Sequence, residues 1–84
     1  EINFPYYSVM PDYRHGFFVT KIFEDLSWIE LVKENPQDTS YFYRTGTEYE
    51  FREYDFENQA DQITNETLFY EALEEFKKQL NDIL

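Results

Sequence analysis

The segment TEYEFREYDFE, residues 47–57, sets carboxylates against aromatic rings almost letter by letter, then breaks step at Arg52-Glu53. Carboxylates on alternate residues of a strand stand roughly 6–7 Å apart. Each strand of a DNA duplex presents about one phosphate per 3.4 Å of rise, with neighbours farther apart along the winding backbone, so the two charge rows are comparable. A ridge of this kind suits the basic groove of a protein that handles nucleic acid, and its attraction fades with salt. The residues expected to carry it are Glu48, Glu50, Glu53, Asp55 and Glu57, with Glu71, Glu74 and Glu75 extending the charge from a following helix. Tyr49 and Tyr54 are the rings expected beside them, since Tyr offers contact area and a hydroxyl at low entropy cost. The plainer reading of the same letters is a half-buried antiparallel strand with a solvated outer face that discourages aggregation.

Other chemistry finds little support. The chain has no Cys, which removes disulfides, thiolate zinc sites and cysteine nucleophiles. His15 is the sole histidine, between Arg14 and Gly16, and no Ser, Cys or acid stands at a recognisable catalytic spacing from it. It reads as a surface or turn residue. Asp55, Glu57 and Asp61 lack the alternating ligands and glycine of a calcium loop. No HExxH, phosphate loop or dinucleotide fingerprint occurs. The sequence therefore predicts a protein that is not an enzyme, with no cofactor and no metal.

Charge and size frame the acidic segment. Of the net −11, residues 1–46 carry −3, residues 47–75 carry −9 with Arg52 the only base, and residues 76–84 carry +1. Crowding one sign costs stability through self-repulsion, and the resulting field repels nucleic acid and anionic lipid while attracting basic proteins. Aromatic residues make up 21% of the chain, a richness foreign to acidic disordered segments, so the chain is expected to fold. Its 84 residues suffice for one domain with a modest core. No apolar run approaches the ~20 residues of a membrane span, and a cytoplasmic setting, including a host cytoplasm, is the expectation.

The elements that must position these residues are read in order. Residues 1–15 hold Pro5 and Pro11 without a clean period and are expected to form an arm or irregular strand packed on the body. FFVTKIFED reads as a strand over 17–24. For residues 27–35, Ser27 and Glu30 match a capping box and Asn35-Pro36 a stop, which favours a short helix; Trp28, Ile29 and Val32 favour a strand, with EDLS as a hairpin turn. YFYR, a turn at Gly46 and TEYEF read as a hairpin of strands 41–45 and 47–57. A one-residue bulge at Arg52-Glu53 would return Tyr49, Phe51, Tyr54 and Phe56 to one face and leave the five acids on the other. Asn65 is an N-cap candidate for a helix over 66–84, where Phe69, Leu73, Phe76, Leu80 and Ile83 draw one apolar stripe. Phe76, central in it, is the ring whose loss is expected to cost most, and Glu74 and Lys78 form an i,i+4 pair.

The expected fold is thus α+β: an antiparallel sheet of three to four strands within 16–57 and a C-terminal amphipathic helix packed on one face. The expected function is an acidic binding protein that masks a basic surface of a nucleic-acid-binding or nuclease protein: a DNA mimic, an anti-defence inhibitor of phage type, or an immunity or antitoxin protein. It would act as a monomer or weak homodimer, with no direct contact to nucleic acid or membrane. The alternative is a structural or regulatory module that self-associates or docks through its aromatic surface.

Overall fold

The computed structural model describes residues 2–12, 14, 16–33, 41–57 and 59–83. Four strands, β1 (Tyr6–Asp12), β2 (Gly16–Ile22), β3 (Trp28–Lys33) and β4 (Tyr41–Gly46), form one antiparallel sheet in the order β1-β2-β3-β4. A short helix α1 (Glu53–Glu57), a 3-10 turn (Gln59–Asp61) and the long helix α2 (Gln62–Ile83) follow. The α+β architecture is the one expected, with the C-terminal helix across one face of the sheet.

Three elements differ from the sequence reading. The N-terminal segment, read as an arm or irregular strand, is the regular strand β1, seven residues in register with β2 from Tyr6↔Ile22 to Asp12↔Gly16. Pro11 is tolerated there because β1 is an edge strand. Residues 28–33 are strand β3, so the EDLS turn and the β-forming side chains prevail over the capping box. Ser27 donates from both its N–H and Oγ to Asp25 inside the turn, and Glu30 reaches across the ladder to Arg44 instead of back to Ser27. The predicted strand 47–57 does not form: the chain leaves the sheet at Gly46, bends at Thr47-Glu48, where Glu48 takes a left-handed φ of 57°, and enters α1 at Glu53.

Gly46 matters for a reason other than the hairpin expected of it. A Cβ placed there would lie 2.3 Å from the Trp28 ring, so the indole lies against bare backbone. The glycine that does supply a left-handed conformation is Gly16, at φ 94° where β2 begins.

One face of the sheet holds the main core. Tyr7, Val19, Leu31 and Tyr41 pack with Phe69 and Ala72 of α2, and Leu73 and Phe76 border them. The stripe is as predicted through Phe76, but Phe69, 2% exposed, is its deepest ring, and Leu80 is largely exposed. The helix begins at Gln62, before the expected cap: Asn65 is buried inside it and donates from Nδ2 to the Tyr7 carbonyl at 3.1 Å.

Two glutamines fix the helix across the sheet. Gln62 accepts from the Tyr7 N–H at 2.7 Å and donates to the Tyr7 carbonyl at 2.8 Å. Gln79 does the same for Tyr41, at 2.7 and 2.9 Å. Seventeen residues of helix span about 25 Å. Four strands are about 14 Å wide, and Tyr41 lies four residues along β4 from the position abreast of Tyr7, a further ~13 Å. The helix matches that diagonal once side-chain reach is counted. Each glutamine amide thereby closes an edge-strand residue as a neighbouring strand would.

Candidate partner-binding surface

The opposite face of the sheet is covered by the segment 47–57, which crosses from β4 back to β1. Its alternation is real, but it serves a crossover. Tyr49 and Phe51 turn inward: Phe51 sits edge-on to Tyr6 at 5.6 Å and to Tyr49 at 5.0 Å, and meets Phe4 and Phe56 at 6.1 and 6.0 Å. The Tyr49 N–H donates to the carbonyl of Leu26, a left-handed residue in the β2–β3 turn, which pins the crossover to the end of the sheet. The break at Arg52-Glu53 is where the irregular crossover becomes helix. Asp55, third residue of α1, reaches back to accept from the Arg52 N–H at 2.9 Å, the acidic half of a capping box.

This gives Asp55 a role opposite to the one expected. It is fully buried, accepts from Ser8 Oγ at 2.7 Å and from Tyr49 Oη at 3.2 Å, and lies 3.7 Å from Arg52 Nε. Its backbone carbonyl accepts from the Tyr6 hydroxyl. Among the described residues no buried side-chain polar atom lacks a partner, so the cluster is a saturated structural core. Burial, reinforced by the Asp55 charge, raises the Tyr6 and Tyr49 phenols above their usual range. Asp55 cannot meet a partner. Tyr54 is half-buried with its hydroxyl donating to the Val9 carbonyl, so it too serves the fold.

The remaining predicted acids are exposed, on two sides of the molecule. Glu48, Glu50, Glu53 and Glu57 lie along the crossover, and Glu71, Glu74 and Glu75 lie on α2, beyond the other face of the sheet. The ridge of five acids expected at 47–57 is replaced by these two groups. The pairing expected within the helix shifts by one residue: Lys77 meets Glu74 at 3.8 Å and Lys78 meets Glu75 at 3.4 Å, i,i+3 contacts between exposed groups. Glu48, Glu50, Glu53 and Glu57 make no ion pair among the described residues.

Each group borders a cleft. One, of about 430 Å³, lies where Phe17 and Tyr41 meet the helix flank of Glu71, Glu74 and Glu75. Burial, followed by the charges of Glu75 and Glu71, raises the Tyr41 phenol there. The other, of about 360 Å³, is walled by Trp28 and Tyr49, edge-on at 6.5 Å, and rimmed by Glu30, Glu48, Glu50 and Arg52. Aromatic faces beside carboxylates suit a cationic side chain. In sequence Trp28 signals only a strand; its partnership with Tyr49 depends on a crossover that no local signal announces.

A third arrangement is cationic. Lys21 Nζ lies 5.7, 5.2 and 5.2 Å from the ring centres of Tyr7, Phe23 and Tyr70 and donates to Tyr70 Oη at 2.7 Å. That hydrogen bond, with a second from Tyr7, lowers the Tyr70 phenol from its ordinary value. His15, Tyr13 and residues 34–40 lie outside the described residues. Among the described residues no group of three or more His, Asp or Glu is placed to hold a metal ion, and no helix is long and apolar enough to cross a membrane. Comparison with family models, with curated proteins and with solved structures finds no match.

Proposed function

We propose that this chain is a non-enzymatic acidic binding protein that masks a basic surface on a nucleic-acid-binding or nucleic-acid-cleaving protein. The observation that carries the reading is the run of exposed Glu48, Glu50, Glu53 and Glu57, without ion pairs among the described residues, held on a crossover whose buried side-chain polar atoms all have partners. Self-repulsion that a fold does not neutralise costs stability, and a basic partner relieves it. An anti-defence inhibitor, an immunity protein and an antitoxin all use this chemistry.

Magnitudes favour a local mask over a replica of duplex. The body is 41 Å long, and a duplex of that length carries about 24 phosphates at one per ~1.7 Å. This chain carries a net charge of −11, divided between two sides of a sheet. One side at a time therefore meets the partner: on the crossover Glu48, Glu50, Glu53 and Glu57 all lack an ion pair among the described residues, whereas on α2 Glu74 and Glu75 are paired with Lys77 and Lys78.

The test is capture from the native or host cytoplasm at low salt, followed by elution in a salt gradient. The expected result is a basic nucleic-acid-binding protein that elutes early and loses its grip on DNA or RNA when this chain is added. The triple variant Glu48→Lys, Glu50→Lys, Glu53→Lys, with an unchanged circular dichroism spectrum, should lose that partner. A captured set identical to wild type, or a partner whose nucleic-acid binding is undisturbed, refutes the proposal.

A further inference from the structure

The two edges of the sheet are finished very differently. Since Tyr7 directs its N–H and carbonyl outward to Gln62, the outward residues of β1 are Tyr7, Val9 and Pro11. Tyr7 is closed by Gln62 and Asn65, the Val9 carbonyl by the Tyr54 hydroxyl, and Pro11 has no N–H to offer. On β4 the same reasoning from Gln79 makes Tyr41, Tyr43 and Thr45 the outward residues. Only Tyr41 is closed. Among the described residues nothing bonds the outward backbone of Tyr43 and Thr45.

The side chains of β4 show the same neglect. Phe42 is 49% exposed on one face and Tyr43 is 48% exposed on the other, although Tyr43 stacks on Phe76 at 5.5 Å. Arg44 and Thr45 are exposed as well. Natural edge strands this open are usually blunted by a proline, a bulge or a cover. At the Gly46 end, the Trp28 indole fills the space a side chain would take, and the cleft of Trp28, Tyr49, Glu30, Glu48, Glu50 and Arg52 begins beside it.

We propose that β4 is a docking edge for an extended segment of a basic partner, which adds a fifth strand at Tyr43 and Thr45 and, from the position across from Gly46, places an arginine or lysine into the Trp28–Tyr49 cleft. Alternation sets the rest of its pattern. A residue across from Gly46 faces the crossover side, and a residue across from Tyr43, three positions away, faces the helix side. The occupant thus carries a cation for the cleft and an apolar side chain for the Tyr43–Phe76 stack. Main-chain bonds supply the affinity of such an addition, and the pockets supply its selectivity. A second copy of this chain is disfavoured as occupant by the charge of −11 that each would bring. The basic character of the occupant rests on the function proposed above; the open edge does not.

The probe is a capped heptapeptide of alternating threonine and valine with an arginine at each end, so that either strand direction brings one cation to Gly46. Its counterpart carries glutamate at both ends. Nuclear magnetic resonance of the whole chain should show slowed amide exchange at Tyr43 and Thr45 and shifts at the Trp28 indole N–H on adding the arginine peptide. The glutamate peptide should bind at least ten-fold more weakly. Thr45→Pro, which removes an outward N–H and leaves the β3 ladder intact, should abolish the Tyr43 protection; if that variant does not fold, exchange in the wild-type chain decides. Binding without protection at Tyr43 and Thr45 overturns the docking edge while leaving the acidic mask standing. Equal binding of both peptides, with protection, overturns the basic occupant and the cleft's role. Protection that appears without peptide and grows with protein concentration identifies a second copy and overturns the proposal, as does failure of the arginine peptide to bind.

Discussion

Asp55 shows how one residue type can be read correctly for sign and wrongly for place. The acidic alternation around it belongs equally to a solvated strand face and to a buried cap, and only the third dimension separates them. The overlooked signal is local: an acid three residues after a break in period is the back-reaching partner of a capping box, and Arg52-Glu53-Tyr54-Asp55 has that form. Ser8, which completes the site from β1, has no sequence signal because it lies 47 residues away. Asp55→Ala strands the Ser8 and Tyr49 hydroxyls and the Arg52 N–H. With roughly 1–3 kcal/mol for a buried group left unpaired, the loss should be at least about 2 kcal/mol, seen as a lower urea midpoint. A midpoint equal to wild type would show that the cluster adds nothing to stability.

Among the elements, legibility followed how strongly a pattern repeats. Helix α2 was plain because its stripe recurs over several turns, and strand β2 because β-branched and aromatic residues crowd one short run. Residues 28–33 were ambiguous because position-specific helix signals competed with side-chain shape, and pairing with β2 and β4 on both sides decided in favour of shape. The crossover was illegible because its partners are the turn at Leu26 and the far edge of the sheet. Within α2 the structure moves the energetic centre from Phe76 to Phe69. Phe69→Ala should cost about 3–5 kcal/mol, the range for a fully buried ring, and Phe76→Ala distinctly less, because that ring is only partly buried. Thermal melts of the two variants side by side test the order, and the reverse ranking would refute this account of the core.

At the scale of the molecule, the sequence disclosed the net charge and its concentration in the second half, but not its division between two sides of a sheet. Whole-molecule stability should also depend on alkaline pH. Tyr6, Tyr7, Tyr41 and Tyr49 have phenols raised above the ordinary 10.0, chiefly by burial. The folded state thus favours their neutral forms over the unfolded state, so the stability they contribute is complete below pH ~10 and declines as pH climbs past it. Tyr70, lowered by its hydrogen bond from Lys21, should ionise first. Tyrosinate absorbance against pH should show an early step that Tyr70→Phe removes and a late, cooperative rise that coincides with unfolding. A single non-cooperative titration of all eight tyrosines near pH 10 would contradict this.

The unequal finish of the two sheet edges has a consequence for assembly. Growth of a filament needs a donor flank and a receptor flank on every subunit, and here the β1 flank is largely occupied: Gln62 and Asn65 take Tyr7, the Tyr54 hydroxyl takes the Val9 carbonyl, and Pro11 has no N–H. Head-to-tail polymerisation through strands therefore meets a β1 flank that offers few main-chain groups to continue from, and an added strand on β4 tends to end the sheet.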